Sequence, residues 1–135
     1  MPEIQPVLPA SVAHSALVFE DDSGVQAIVS EVLDAMGLDV HIAESLADLF
    51  QRAQEGDFAL IVSDFWGNDQ VGLGETERRV ISRLGRLAPT VLLTARAWAR
   101  DESAGTLGVV RFLSKPFTIE DLEEAVHACT ALRRD

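Results

Sequence analysis

Short apolar runs alternate along the chain with segments in which apolar residues recur at helical spacing. Five runs have the length of strands: 16–19, 39–43, 58–64, 90–95 and 109–117. They are mostly unbroken rather than alternating with polar residues, which is typical of strands buried on both faces of a sheet. The pattern therefore predicts five strands of a parallel sheet.

Helical spacing follows each of these runs. Three of the predicted helices begin at a good N-cap residue: Ser23, Ser45 and Thr118. Gly37 stands where the first helix needs a C-terminal cap, and Asp121 completes a capping box with Thr118. The weakly patterned segment 97–106 predicts a short, less stable fourth helix.

Strands and helices alternate five times, and helices must cover both faces of a buried parallel sheet. This arrangement predicts a doubly wound α/β domain. Residues 1–14 contain three of the five prolines and show little periodicity. We interpret them as an extended or mobile N-terminal arm, followed by one domain over residues 15–134.

Charge and cysteine content narrow the function classes. The chain has 135 residues and a formal net charge of −11, from 22 acidic residues against 11 lysines and arginines. Such a surface disfavours nucleic acids and anionic membranes and suits a divalent metal. The lone Cys129 allows no intrachain disulfide and is expected to be a core residue. Without a signal peptide or a long apolar segment, the protein is expected in the cytoplasm.

Ligands of a doubly wound sheet bind beyond the carboxyl ends of its strands. The residues predicted there are mainly acidic, with one hydroxyl and one ammonium: Glu20, Asp21 and Asp22, then Asp64, then Thr94-Ala95, then Lys115-Pro116. Clustered carboxylates can share Mg²⁺, and a carboxylate beside the metal can attack phosphorus to form an aspartyl phosphate. No Gly-rich phosphate loop follows the first strand, which argues against a dinucleotide or nucleotide site.

This ordered set resembles the receiver domain of bacterial two-component response regulators, of the stand-alone, single-domain type. The resemblance covers about residues 15–134. It implies a flavodoxin-like (βα)5 fold with a five-stranded parallel sheet in the order 2-1-3-4-5.

The resemblance also implies a phosphoacceptor and a metal site. Asp64 would accept the phosphoryl group from a histidine kinase, a phosphorelay partner or a small acyl phosphate. Glu20 and Asp21 would hold Mg²⁺ (or Mn²⁺) together with Asp64. The backbone carbonyl of Trp66 would complete the protein's share of the ligands.

Further residues would bind the phosphoryl group and report its presence. Thr94 and Lys115 would donate hydrogen bonds to its oxygens, and the small Ala95 would leave the phosphorus accessible. Phe112, three residues before Lys115, stands at the position of the aromatic switch, although an aromatic residue in a strand can equally be core.

The chain departs from the family pattern after the acceptor. Gly67 and Asn68 replace the usual Met-Pro pair, while Gly72 keeps the glycine expected eight residues after Asp64. This loop puts the metal affinity and the lifetime of the aspartyl phosphate in question. Phe112 replaces the common tyrosine, so a switch there has no phenolic hydroxyl.

Three functional alternatives follow from these residues. The leading hypothesis is a phosphorylation-dependent signalling switch rather than an enzyme. A second is a receiver-like interaction domain that is not phosphorylated. A third is a phosphohydrolase, but Trp66 occupies the place of the general acid that such an enzyme needs. Asp22 has two interpretations as well, and we favour a cap of the first helix over a metal ligand.

The partners implied by the resemblance are proteins. A histidine kinase or phosphotransfer protein would supply the phosphoryl group. The downstream target would bind the face formed by the predicted fourth helix, the fifth strand and the fifth helix. Direct DNA binding and membrane attachment are not expected, and a homodimer is possible.

Overall fold

Five strands and four helices make up the part of the chain that the computed structural model describes, which is residues 14–56, 58–64, 75–94 and 109–132. The strands are β1 (Ser15–Phe19), β2 (Asp39–Ile42), β3 (Leu60–Asp64), β4 (Thr90–Thr94) and β5 (Arg111–Ser114). The helices are α1 (Ser23–Ala35), α2 (Leu46–Glu55), α3 (Glu75–Leu87) and α4 (Ile119–Leu132).

All five strands form one parallel sheet in the order β2-β1-β3-β4-β5. The predicted flavodoxin-like fold and its strand order are confirmed. The order reverses between β1 and β3, where Phe19 is in register with Ser63. Asp64 is in register with Leu93 of β4, so the acid that ends β3 lies at the same edge as the end of β1.

Strands β2, β3 and β5 are shorter than the predicted runs, whereas β1 begins one residue earlier than predicted, at Ser15. β3 begins at Leu60 rather than at residue 58, and β5 covers only four of the nine residues predicted at 109–117. Apolar character extends past the hydrogen-bonded ladder in both places, because Phe58 and Val109 are buried outside it. Burial alone therefore overestimates strand length.

Asp22, and not the predicted Ser23, is the N-cap of α1. The Asp22 side chain accepts a hydrogen bond of 3.0 Å from the Val25 backbone N–H, and Ser23 is the first helical residue. A carboxylate satisfies a free N–H at the positive end of the helix and complements its dipole. The interpretation of Asp22 as a residue that starts the helix is confirmed.

The other predicted caps are confirmed. Ser45 accepts a hydrogen bond from the Asp48 N–H at 3.0 Å. Thr118 and Asp121 form the reciprocal capping box, with donor–acceptor distances of 3.0 and 3.3 Å. Gly37 has φ +89° and follows α1 in a Schellman turn, in which the Leu38 N–H bonds to the Leu33 carbonyl. A side chain at this φ would be strained.

Two apolar cores lie on the two faces of the sheet. One joins α1 and α4 to the sheet through residues that include Val29, Leu33, Leu122, Val126 and Cys129. The other joins α2 and α3 through residues that include Leu49, Ala53 and Leu84. Cys129 is fully buried, as predicted, and burial raises the pKa of its thiol to about 12.

Two isoleucines at helical apolar spacing with the core residues are exposed. Ile28 in α1 is 49% exposed and Ile119 in α4 is 52% exposed. Each lies at the margin of the apolar stripe of its helix.

Some predictions concern residues outside the described ranges: residues 1–13 of the predicted arm at 1–14, and the fourth helix at 97–106. Because the helix predicted at 97–106 is given no label, α4 denotes the helix Ile119–Leu132. Among the described helices, none has both the length and the apolar character that a membrane span needs.

Candidate functional site

Three carboxylates meet at the carboxyl edge of the sheet. Glu20 and Asp21 follow β1 directly, and Asp64 is the last residue of the adjacent β3. One carboxylate oxygen from each of the three lies within 4.8 Å of the others. The two strands are neighbours at the point where strand order reverses, so residues far apart in sequence converge there.

Glu20 is the most buried of the three acids, with 2% of its surface exposed. Its Oε2 accepts a hydrogen bond of 3.0 Å from the Asp22 backbone N–H. Its Oε1 is buried and accepts no hydrogen bond within the described part of the chain. Burying a carboxylate oxygen in this way is costly unless a cation offsets its charge.

Lys115 supplies a cation. Its Nζ donates hydrogen bonds of 3.1 Å to Glu20 Oε2 and 3.1 Å to Asp64 Oδ1. The same Nζ lies 2.9 Å from Glu20 Oε1, an ion-pair contact whose angles do not make a hydrogen bond. One ammonium thus bridges two of the three carboxylates.

Electrostatics at the site favour an added positive charge. Burial, and then the charge of Glu20, raise the pKa of Asp64 from its ordinary 3.8 to about 6, although Lys115 opposes this shift. Burial by itself would lower the pKa of Lys115, but the hydrogen bonds to Glu20 and Asp64 outweigh it and raise that pKa. The Lys115 ammonium is therefore charged at neutral pH. The ionisation of Asp64 is opposed by its burial and by the charge of Glu20.

The acids fit a hard divalent cation. Three carboxylates against one ammonium leave excess negative charge, and Glu20 Oε1 lacks a hydrogen bond among the described residues. Mg²⁺ prefers oxygen ligands and commonly uses one or two carboxylates while keeping several waters. Glu20, Asp21 and Asp64 could hold such an ion. Asp21 is exposed to solvent, so an ion bound there could keep several of its waters.

Gln26 is a residue of this site that the sequence patterns missed. Its Nε2 donates a hydrogen bond of 3.1 Å to the backbone carbonyl of Glu20, and its backbone N–H bonds to the Asp22 carbonyl. Gln26 thus ties the acidic turn to the first turn of α1. A polar residue four positions after a helix cap was the available signal.

Two other predicted residues lie on the next strands of the sheet, β4 and β5. Thr94 ends β4 and is 1% exposed, and its backbone carbonyl accepts a hydrogen bond of 2.8 Å from the Lys115 N–H. This bond fixes Lys115 next to β4 just after β5 ends. Phe112 is half-buried in β5, in register with Leu92. Trp66 and Ala95 lie outside the described residues.

A family model provides the decisive comparison. The model of the response regulator receiver domain matches residues 16–127, which include all of the residues that form this acidic site. The chain belongs to the response regulator receiver domain family. The resemblance to receiver domains that the strand-end residues indicated is confirmed.

Two curated relatives of this receiver domain are described as transcriptional regulators. The probable transcriptional regulator ycf29 of Porphyra purpurea is 31% identical over 112 residues, which cover 82% of this chain and 53% of the relative. The transcriptional regulatory protein TdiR of Thauera aromatica is 28% identical over 91% of this chain and 54% of the relative. The receiver domain spans about half the length of both.

Solved structures support the fold. A response regulator receiver domain protein from Clostridium thermocellum superposes on this receiver domain with a TM-score of 0.71. The two are 18% identical, and the match covers 89% of this chain and 96% of the other. At this identity the likeness establishes the shared fold.

Proposed function

We propose that this receiver domain is a phospho-accepting signalling switch and that Asp64 is its acceptor. The observation that carries the proposal is the position of Asp64 between two further acids and the Lys115 ammonium. A carboxylate so placed can be both a metal ligand and a nucleophile toward phosphorus. A histidine kinase or phosphotransfer protein would be the donor, and we expect this exchange to take place in the cytoplasm.

The proposed reaction is an in-line phosphoryl transfer. An Asp64 carboxylate oxygen attacks the phosphorus of a phosphohistidine, an O–P bond forms and the N–P bond breaks. The electron pair of the broken bond stays on the imidazole nitrogen, which takes up a proton. Lys115 stabilises the charge on the phosphoryl oxygens, and Thr94 donates a second hydrogen bond. Ala95 leaves room at the phosphorus.

A divalent ion, Mg²⁺ or Mn²⁺, is part of the proposal. Glu20, Asp21 and Asp64 would hold it, with the Trp66 carbonyl as a further ligand. When bound, it neutralises charge on the acceptor and the incoming phosphoryl group. Gln26 and the Asp22 N–H hold the Glu20–Asp21 turn in place, so the ligands are oriented before the ion arrives.

Phosphorylation would act on other proteins. Thr94 would move toward the phosphoryl group, and Phe112 would then turn inward beside β4. The target would bind the face of β5, the C-terminal helix and the predicted helix at 97–106, and homodimerisation is one form this output could take. The domain would catalyse only its own phosphorylation by small donors and slow self-dephosphorylation.

The test is phosphorylation with acetyl phosphate and Mg²⁺, measured by intact mass. The wild type should gain one phosphoryl group, Asp64→Asn should gain none, and the matched control Asp34→Asn, on the exposed side of α1, should behave as the wild type. Beryllofluoride with Mg²⁺ should also change the fluorescence of the two tryptophans, Trp66 and Trp98, in the wild type and in Asp34→Asn but not in Asp64→Asn.

Phosphorylation of Asp64→Asn would show that another residue is the acceptor. Absence of both the mass gain and the beryllofluoride response in the wild type would instead favour the alternative function, an interaction domain that is not phosphorylated. Replacing Mg²⁺ with EDTA in the same assay tests the metal requirement separately.

A further inference from the structure

Helix α3 concentrates positive charge in an otherwise acidic protein. Its 13-residue sequence, ETERRVISRLGRL, contains four of the chain's 11 basic residues. Three of these arginines have described side chains, and all three are exposed: Arg79, Arg83 and Arg86. The same helix has two acids, Glu75 and Glu77, both in its first turn, so positive charge predominates along the rest of α3 in a chain whose net charge is −11.

A groove runs beside these arginines, between α2 and α3. Phe50 and Gln54 of α2 and Arg79, Val80 and Arg83 of α3 line it, and its volume is about 220 Å³. The lining is mainly apolar at Phe50 and Val80 and cationic along the α3 side. The Arg83 guanidinium makes no ion pair or hydrogen bond with any residue that the structure describes.

The groove lies on the face of the sheet opposite α4. Leu49 and Leu84 anchor α2 and α3 in the second core, whereas Leu122 and Val126 of α4 belong to the first. A ligand in the groove would therefore bind a different surface from a target that binds β5 and the C-terminal helix.

We propose that this groove is a docking site for an acidic segment of a partner protein that carries a large apolar side chain. The apolar side chain would enter between Phe50 and Val80, and a carboxylate of the segment would pair with Arg83. Arg79, one helical turn before Arg83 on the same side of α3, adds positive charge beside this carboxylate.

Charge and apolarity together select this occupant. Carboxylates alone would be repelled by the rest of the acidic domain, so the apolar contact is needed for affinity. A nucleic acid would be repelled by the acidic domain along its whole length. A groove of this size could neutralise only a few of its phosphates.

The test uses three short synthetic peptides and ¹⁵N-labelled receiver domain. The first peptide is Asp/Glu-rich around a Leu-Phe pair, the second has serines in place of this pair, and the third has lysines in place of the acids. The first should shift amide resonances of α2 and α3 selectively, and the other two should not. A poly-dT oligonucleotide serves as a polyanion without an aliphatic anchor.

Matched charge reversals on α3 locate the site. Arg83→Glu should weaken binding of the first peptide about fivefold or more, since it replaces an attraction by a repulsion. Arg86→Glu changes the same charge on the same helix outside the groove and should weaken it less than about twofold. Val80→Ser should weaken binding without changing its salt dependence.

Four outcomes would overturn the proposal. They are no α2 or α3 shifts with the first peptide, equal binding of the serine peptide, equal losses in the two arginine variants, and tighter binding of the oligonucleotide. Far-UV circular dichroism of each variant identifies any that fails to fold, and the peptide series on the wild type decides the question independently of them.

Discussion

At the scale of single residues, the site balances crowded acids against one ammonium. Lys115 donates hydrogen bonds to Glu20 and to Asp64, whereas Asp21 is exposed to solvent. The consequence is that Asp64 carries a pKa of about 6, raised first by burial and then by Glu20. Its protonation should therefore influence folding at mildly acidic pH.

We expect the metal-free domain to lose stability as pH rises from about 4 to about 6 on account of Asp64. The folded state holds this proton up to about pH 6, whereas the unfolded state releases it near 3.8. The free energy of unfolding then falls with rising pH in that window and is flat above it for this group. Urea unfolding in EDTA at several pH values measures the effect.

Asp64→Asn provides the comparison. The difference in free energy of unfolding, Asp64→Asn minus wild type, should increase between pH 4 and 6 and then level off. A difference that stays constant with pH would contradict the assigned titration, because an amide cannot take up or release this proton.

A second prediction at this scale concerns Gln26. Gln26→Met removes the donor to the Glu20 carbonyl and keeps the side-chain length, so the acidic turn loses an anchor. Residues that orient metal ligands typically change metal affinity by about tenfold or more when replaced, and a similar weakening of Mg²⁺ is expected here. Calorimetric Mg²⁺ titration measures it.

Gln51→Met is the matched control, because Gln51 is an exposed glutamine on α2 that bonds only to Glu55 among the described residues. Its Mg²⁺ affinity should equal that of the wild type. Equal affinities for Gln26→Met and Gln51→Met would remove Gln26 from the site.

At the scale of elements, the turn between β1 and α1 divides its three acids between two tasks. Asp22 caps α1, while Glu20 and Asp21 face Asp64. The same short turn therefore determines both where the helix begins and where the carboxylates point.

The two tasks can be separated by substitution. Asp22→Ala should cost about 1 kcal/mol of stability through the lost cap, whereas Asp22→Asn should cost little because asparagine is a good N-cap. Both should bind Mg²⁺ as the wild type does, and Asp21→Asn should bind it more weakly at nearly unchanged stability. Urea unfolding and Mg²⁺ titration of the three variants measure both quantities, and a loss of Mg²⁺ affinity in Asp22→Asn would make Asp22 a ligand.

At the scale of the whole molecule, the site joins separate parts of the chain. Lys115 bonds to residues 95 and 51 positions away, at Glu20 and Asp64. Cores on both faces hold the strands that carry these groups. Binding at this edge is therefore linked to folding of the entire sheet.

We expect Mg²⁺ to raise the thermal unfolding temperature of the wild type at pH 8. An ion that binds only the folded state adds about 2.7 kcal/mol at a concentration of 100 times its Kd. The gain should be smaller in Asp21→Asn, and in the wild type it should shrink below pH 6, where Asp64 takes up a proton. Calorimetric scans with and without Mg²⁺ measure it, and an equal gain in Asp21→Asn would indicate binding elsewhere.

The sequence patterns were most informative where structure depends on neighbours along the chain. The periodicity predicted all five strands and the four described helices, and the residues at Ser45, Gly37 and Thr118 predicted their caps, because these contacts span only a few residues. The ordered acids, threonine and lysine also indicated the family. The ends of β3 and β5 were predicted less well, since burial extends beyond the hydrogen-bonded ladder.

Only the tertiary structure decided how deeply each residue is buried and which residues its side chain contacts. The sequence by itself determined the fold class and the set of residues at the strand ends. It offered both Asp22 and Ser23 as caps of α1 without deciding between them, and it did not show that Gln26 holds the acidic turn or that Ile28 and Ile119 remain exposed. The reason is physical: these properties depend on packing between elements and on strand order, which short-range patterns do not contain.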